Sequence, residues 1–174
     1  MTSIIRATNK DVVLLCKVAT QTFIESHGHS AAEADIDNYI KEKYSIAAIS
    51  EELNNTTNIY YLIFHNDIAA GYSKIVFNQP YPESEKQNIT KLDRIYLLSG
   101  FYDLSLGKVL LQFNIDLAKQ NQQAGIWLFV WTENQRAVNF YSKNGFVIIE
   151  SHDFKISATH SNPNHQMLLS LPIN

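Results

Sequence analysis

Arg94-Ile-Tyr-Leu-Leu-Ser-Gly-Phe-Tyr-Asp-Leu-Ser-Leu-Gly-Lys108 is a segment whose residue types and spacing are compatible with chemistry. An apolar strand feeds a loop, and the loop opens a helix whose first N–H groups have no acceptor of their own. Such an end can hold a pyrophosphate through backbone amides at the positive pole of the helix dipole. The same pattern also suits a plain structural connection. Only Gly107 lies in the tight part, no G-x-G-x-x-G is present, and no strand-helix-strand repeat follows, so a dinucleotide-binding fold is not supported. The six histidines include His27 and His29 two apart, while His152, His160 and His165 are scattered. No pair has the four-residue helical spacing of metal ligands, and no metal is expected. Cys16 is the single cysteine, which excludes an intrachain disulfide and a cysteine metal cluster, and its helical stripe predicts a buried thiol.

The elements that must carry these residues follow from periodicity. Ser3 to Ala7 reads as a strand, and Asn9 or Asp11 opens a helix with apolar positions Val12, Leu15, Cys16, Ala19 and Phe23. After Gly28, a polar helical segment from Ala31 to Asn55 breaks at Ser45, with Tyr39, Ile40, Ile46, Ile49 and Leu53 as its buried points. Ile59 to Phe64, a turn at Asn66-Asp67 and Ile68 to Phe77 form a hairpin. Asn78 to Thr90 is an exposed loop and Lys91 to Leu98 a strand. Leu106, Val109, Leu110, Phe113 and Leu117 give a second helical stripe. Ile126 to Trp131 is too short for a buried helix and reads as a central strand, with Trp127 and Trp131 on one face as packing residues. Asn134 caps a helix that ends before Gly145, and Phe146 to Phe154 pairs with His165 to Leu171.

With 174 residues, 45% of them hydrophobic, the chain fits one domain, 1–174, that can bury roughly 70% of its unfolded surface. No repeat, low-complexity tract or linker marks a boundary. Seventeen acidic against fourteen basic residues give a net charge of −3, and the pI is near 6.0, which argues against a nucleic-acid partner. The longest apolar run, Ile59 to Phe64, is far short of the roughly 20 residues that span a bilayer, and polar Thr8 to Asp11 interrupts any signal-peptide core. The expectation is a cytoplasmic protein with no membrane partner.

Asn134, Ala137, Phe140, Tyr141, Gly145 and Phe146 follow an apolar strand in a pattern that resembles the last block of the GCN5-related N-acetyltransferase (GNAT) superfamily. In that register Tyr102-Asp-Leu-Ser-Leu-Gly107 corresponds to the superfamily's acetyl-CoA loop. Gly107 and Lys108 to Leu111 fit it; Ser105 stands in place of the first glycine, and Tyr102 in place of Gln or Arg. More narrowly, the chain is similar to bacterial PaiA-type spermine/spermidine acetyltransferases through Thr22-Phe23 with Glu25, Ile68 to Tyr72 with Lys74, Asp93 to Tyr96, Trp127 to Trp131 and Ser151 to Phe154. The tail from Ser157 to Gln166 departs from that group. The resemblance implies an α/β (α+β) fold, a single GNAT-type domain with a mixed central sheet of about seven strands and four to five flanking helices. Its central parallel strands, Lys91 to Leu98 and Ile126 to Trp131, are expected to splay apart.

The resemblance also implies acetyl-CoA as co-substrate. Backbone groups of Ile95, Tyr96 and Leu97 and the segment Tyr102, Asp103, Leu104, Ser105, Leu106, Gly107 and Lys108 would bind it, with Asn134 on the pantetheine arm. Acyl transfer from a thioester to an amine requires loss of a proton from an ammonium of pKa about 10 and protonation of a leaving thiolate. The superfamily's leaving-group acid corresponds to Tyr141. Asp93 and Glu25 are the candidate bases. Glu33, Asp35 and Asp37, with Glu25, make an acidic set attractive to a polyamine, or equally a solvated helix face. The expected function is acetyl transfer to the primary amine of a small molecule, with polyamines among the candidates and a homodimer allowed. The alternatives are a non-catalytic acyl-CoA sensor, suggested by Ser105 and Asp103, and a protein N-acetyltransferase.

Overall fold

The computed structural model describes residues 1–82, 84–158 and 160–172. Glu83, within the expected loop Asn78 to Thr90, lies outside the described residues, as do Thr159 and the last two positions of the expected 1–174 domain. Seven strands form one mixed sheet in the order β1-β2-β3-β4-β5-β7-β6, where β1 is Thr2–Arg6, β2 Ile59–His65, β3 Ile68–Val76, β4 Ile89–Leu97, β5 Gly125–Trp131, β6 Val147–Lys155 and β7 Ser161–Ser170. Five α-helices accompany them among the described residues: α1 Val12–His27, α2 Glu33–Lys43, α3 Ile46–Asn54, α4 Leu106–Gln120 and α5 Gln135–Lys143. The chain divides into two compact units, Met1–Ile75 with Arg94–Asn114, and Val76–Asp93 with Ile115–Asn174. Strand β4 and helix α4 each contribute to both.

In the first unit β1, β2 and β3 are antiparallel, and the β2–β3 turn places Asn66 at φ 48° and Asp67 at φ 64°, the left-handed pair that a two-residue hairpin requires. Thr8 and Asp11 form a reciprocal capping box at the turn that precedes α1. One sheet face packs Tyr60, Leu62 and Tyr72 against Leu15, Ala19, Phe23, Ile36 and Ile49 of α1 to α3. The other packs Ile63 and Ala70 against Leu106 and Leu110 of α4. Gly71 is required by close approach: a Cβ there would lie 2.2 Å from the Tyr96 carbonyl oxygen and 2.9 Å from the Leu97 Cα. Five buried points expected from periodicity are corrected. Cys16, Tyr39, Ile40 and Leu53 are only partly buried, and Ile46 is exposed because it is the first residue of α3 after the Ser45 cap, at the helix end, one turn before the core contact that Ile49 makes. Ile36 takes a core position instead, and on α4 Val109 is exposed while Leu111 and Asn114 face inward.

In the second unit β4 and β5 are parallel, with register Ile89↔Gly125 to Lys91↔Trp127. Thus β4 begins two residues earlier than its hydrophobic pattern suggests. Antiparallel pairing of β5 with β7 and of β7 with β6 completes the unit. Ile89, Ala124 and Trp127 form its packed cluster, and the Trp127 indole N–H donates to the Gln79 carbonyl at 2.6 Å. Asn134 Oδ1 caps α5 by accepting from the Ala137 N–H at 3.1 Å, and Gly145 leaves that helix at φ +89°, where glycine carries no steric penalty.

Candidate active site

In the first unit the segment expected to hold a pyrophosphate is not an open loop. Ser99–Leu104 forms a short 3-10 helix, Ser105 adopts a left-handed backbone at φ 57°, and α4 starts at Leu106. The left-handed residue reverses the chain between two helical pieces, a geometry in which successive N–H groups converge on an anion. Its position is the one where the resemblance calls for glycine. The serine there adopts a left-handed backbone that glycine takes without steric cost. Asp103, Ser105 and Lys108 are exposed, Tyr102 and Gly107 half-buried, and Leu106 buried in the core beneath α4. Leu104 projects into solvent at 47% exposure.

Glu25 reaches this segment. Near the end of α1, its carboxylate accepts from the Ser99 backbone N–H at 2.8 Å and from the Gln21 side chain at 3.0 Å. It thereby caps the 3-10 helix that leads into Ser105. Ile95, Tyr96 and Leu97 lie on the stretch of β4 that crosses Gly71, and Ile95 and Leu97 pack on the α4 side. Tyr96 faces the opposite side, against His27 and Tyr72. Burial, and secondarily the charge of His29, pushes the His27 pKa down to about 4, so its ring is neutral.

A buried ionic cluster in the same unit went unread in the sequence. Arg94 grips Glu52 at 3.0 Å, Lys74 meets Glu52 at 2.7 Å, and the Tyr60 hydroxyl donates to the same carboxylate. The guanidinium lies over the Tyr44 ring at 5.0 Å. Burial by itself raises the Glu52 pKa, but Arg94, then the hydrogen bonds from Lys74 and Tyr60, outweigh it and the net shift is downward. The available signal was spacing: Glu52 stands three residues after Ile49 and so shares its inward face.

In the second unit Asp93 pairs with Lys91 at 2.8 Å. Tyr141 is buried on α5 with its ring against Phe140 and Phe146, and burial raises its hydroxyl well above the ordinary tyrosine range, so it stays protonated. Asn134 uses Oδ1 as the helix cap, which leaves its amide N–H pair available to a ligand. The acids Glu33 and Asp35 sit in the first turn of α2, where the helix dipole favours them. Among the described residues no group of histidine, cysteine, aspartate or glutamate side chains could hold a metal ion, and no helix is long and apolar enough to cross a membrane.

Residues 19–146, most of the chain, match the acetyltransferase (GNAT) family. The chain belongs to that family. Curated GNAT relatives include an uncharacterized N-acetyltransferase of Lactobacillus delbrueckii subsp. lactis, 24% identical over 87% of both chains. An uncharacterized N-acetyltransferase of Mycobacterium tuberculosis is 26% identical over 85% of this chain and 90% of its own. Among solved structures, the PaiA N-acetyltransferase of Thermoplasma acidophilum in complex with coenzyme A superposes with a TM-score of 0.80 at 21% identity, over 98% of this chain and 99% of the other. The Escherichia coli ribosomal-protein-S18-alanine N-acetyltransferase superposes at 0.70 and 16% identity, over 98% and 94%. The fold is therefore the GNAT fold and the protein is an acetyltransferase.

Proposed function

We propose that this GNAT protein transfers the acetyl group of acetyl-CoA to the primary amine of a small molecule. The observation that carries the reading is Ser105: at φ 57° it holds a glycine-like backbone at the head of α4, which supports a phosphate-binding turn within Tyr102 to Lys108 without the expected glycine. The coenzyme A complex of the Thermoplasma PaiA protein supports the same co-substrate. The backbone of Ile95, Tyr96 and Leu97 and the free amide N–H groups of Asn134 are assigned to the pantetheine arm.

Acetyl-CoA supplies the acyl carbon as a thioester. The amine nitrogen forms the new C–N bond as the C–S bond breaks. Asp93 accepts the proton that the ammonium must lose, directly or through a water, and the Tyr141 hydroxyl supplies one to the departing sulfur. Glu25 serves as an anchor of the 3-10 helix through Ser99, and so positions the phosphate-binding turn. Polyamines are primary amines, and the acids of α2 support attraction of a cation to that region of the first unit.

The test is CoA release measured against a panel of diamines, polyamines and amino acids. On any amine that supports turnover, Tyr141→Phe keeps the packing ring and should lower kcat by about 10²–10⁴-fold, on the order of 3–5 kcal/mol of barrier. Affinity for acetyl-CoA should change little. Unchanged turnover with chemistry rate-limiting removes Tyr141 as the acid, and no turnover with any amine favours the sensor reading.

A further inference from the structure

Strand β7 carries three carboxamides at alternate positions, Asn162, Asn164 and Gln166, which therefore share one face of the sheet. All three are at least nine-tenths buried: Gln166 is 0% exposed, Asn162 4% and Asn164 8%. Burial of this kind normally comes with hydrogen bonds. Here Gln166 Nε2 and Oε1, Asn164 Oδ1 and Asn162 Nδ2 have no partner. Exchanging N and O does not remove the difficulty at Gln166, since both of its polar atoms are unpartnered. Asn162 Oδ1, by contrast, lies 3.0 Å from His160 Nε2.

Registers in the second unit identify the surroundings. Phe129 of β5 and Glu150 of β6 stand opposite Gln166, and Trp131 and His152 stand opposite Asn164. Phe129 and His152 are half-buried and meet edge to face at 5.5 Å, so an aromatic pair reaching the surface adjoins the carboxamides. This is the face opposite the one Leu169 shares with Gly145 at the end of α5. Its ionisable groups on these strands are Glu150 and His152, which lie 3.2 Å apart at the rim.

We propose that this carboxamide stripe recognises the acetyl acceptor, and that the acceptor is a primary amine bearing a neutral carboxamide or peptide group. The inference rests on the acetyltransferase reading above and narrows its substrate class. Two unpartnered donors and two unpartnered acceptors match a ligand group that both accepts and donates. A protonated polyamine offers donors alone. It would serve Gln166 Oε1 and Asn164 Oδ1 but leave the N–H groups of Gln166 and Asn162 buried and unmade, which a hydrogen-bonding site penalises heavily.

Two acceptors of matched length decide the matter with the full chain: δ-aminovaleramide, an amine ending in a carboxamide, and cadaverine, an amine ending in a second amine. The wild type should show kcat/KM at least about tenfold higher for the amide. Gln166→Met should bring that ratio near one, mainly through KM, with acetyl-CoA affinity by calorimetry unchanged. Gln166→Glu, which keeps the shape and adds a charge, should turn the preference toward cadaverine and covers the case in which the methionine variant does not fold. A peptide of four residues with a free amino terminus, run in parallel, tells a small amide from a polypeptide end as the source. Preference of the wild type for cadaverine, or an amide preference that survives both substitutions, overturns the proposal. Should no amine be acetylated, the acetyl-transfer reading fails separately, and calorimetric binding of δ-aminovaleramide still decides this one: heat that Gln166→Met abolishes supports the stripe as a site, and equal or absent heat overturns it.

Discussion

At the scale of single residues, Ser105 holds a left-handed backbone at a position where the family pattern has glycine. An L-residue in the left-handed region costs roughly 1–2 kcal/mol relative to its ordinary conformations, partly recovered through the stiffer unfolded chain that a non-glycine residue provides. Ser105→Gly should therefore raise stability by up to about 1 kcal/mol, read as a higher denaturant midpoint at unchanged slope, and leave acetyl-CoA affinity the same or tighter. A clear loss of stability would mean that the serine side chain supports the turn. Tyr141 makes the complementary point. Its periodic position on α5 is that of any core aromatic, and only the hydroxyl, held protonated by burial, fits it for chemistry.

At the scale of elements, the link between α1 and the turn proposed to bind phosphate runs through one carboxylate. Glu25 and Ser99 are 74 positions apart in sequence yet bonded at 2.8 Å. Glutamine can still accept the Ser99 N–H, while alanine cannot, so Glu25→Gln should keep kcat within a few-fold and Glu25→Ala should raise KM for acetyl-CoA severalfold with kcat retained. A hundredfold fall in kcat for Glu25→Gln alone would assign it the base instead. The Glu52 cluster ties α3 to β3 and β4 in the same manner. Glu52→Gln removes the carboxylate shared by two nearly buried cations and should cost about 3–5 kcal/mol of stability by urea denaturation. A cost below about 1 kcal/mol would show that solvent compensates both charges.

At the scale of the whole molecule, folding is linked to pH through His27. Its folded pKa of about 4 lies below the unfolded value of about 6.5, so between those limits the unfolded chain binds a proton that the folded chain does not. Stability is therefore fully present above about pH 6.5 and is lost as pH falls toward 4, by about 3 kcal/mol at most. Glu52, whose pKa is depressed, adds a further loss as it protonates at lower pH. Urea titrations at neutral pH and near pH 4.5 measure this directly, and His27→Gln should flatten the dependence over that window. An equal slope in the variant would move the linkage to other groups.

Order of elements, the hairpin at Asn66-Asp67, the Asn134 cap and the glycine after α5 were all legible in the sequence, because local backbone preference and periodicity decide them. So was the GNAT resemblance, which the match over residues 19–146 bears out. What the chain alone could not disclose depends on partners distant along it. Periodicity marks Ile46 and Cys16 as apolar, but which of several apolar residues reaches the core depends on how α1 and α3 are rotated against the sheet. Glu52 reads as a solvated charge until Arg94 and Lys74 are brought to it; Asn162 and Asn164 fall before the closing strand expected from His165 to Leu171, and only pairing of β7 with β5 and β6 aligns them with Gln166 and buries all three. Local sequence sets conformation within a few residues; the free energy of a charge or an amide depends on the solvent it loses, and only the assembled sheet determines that.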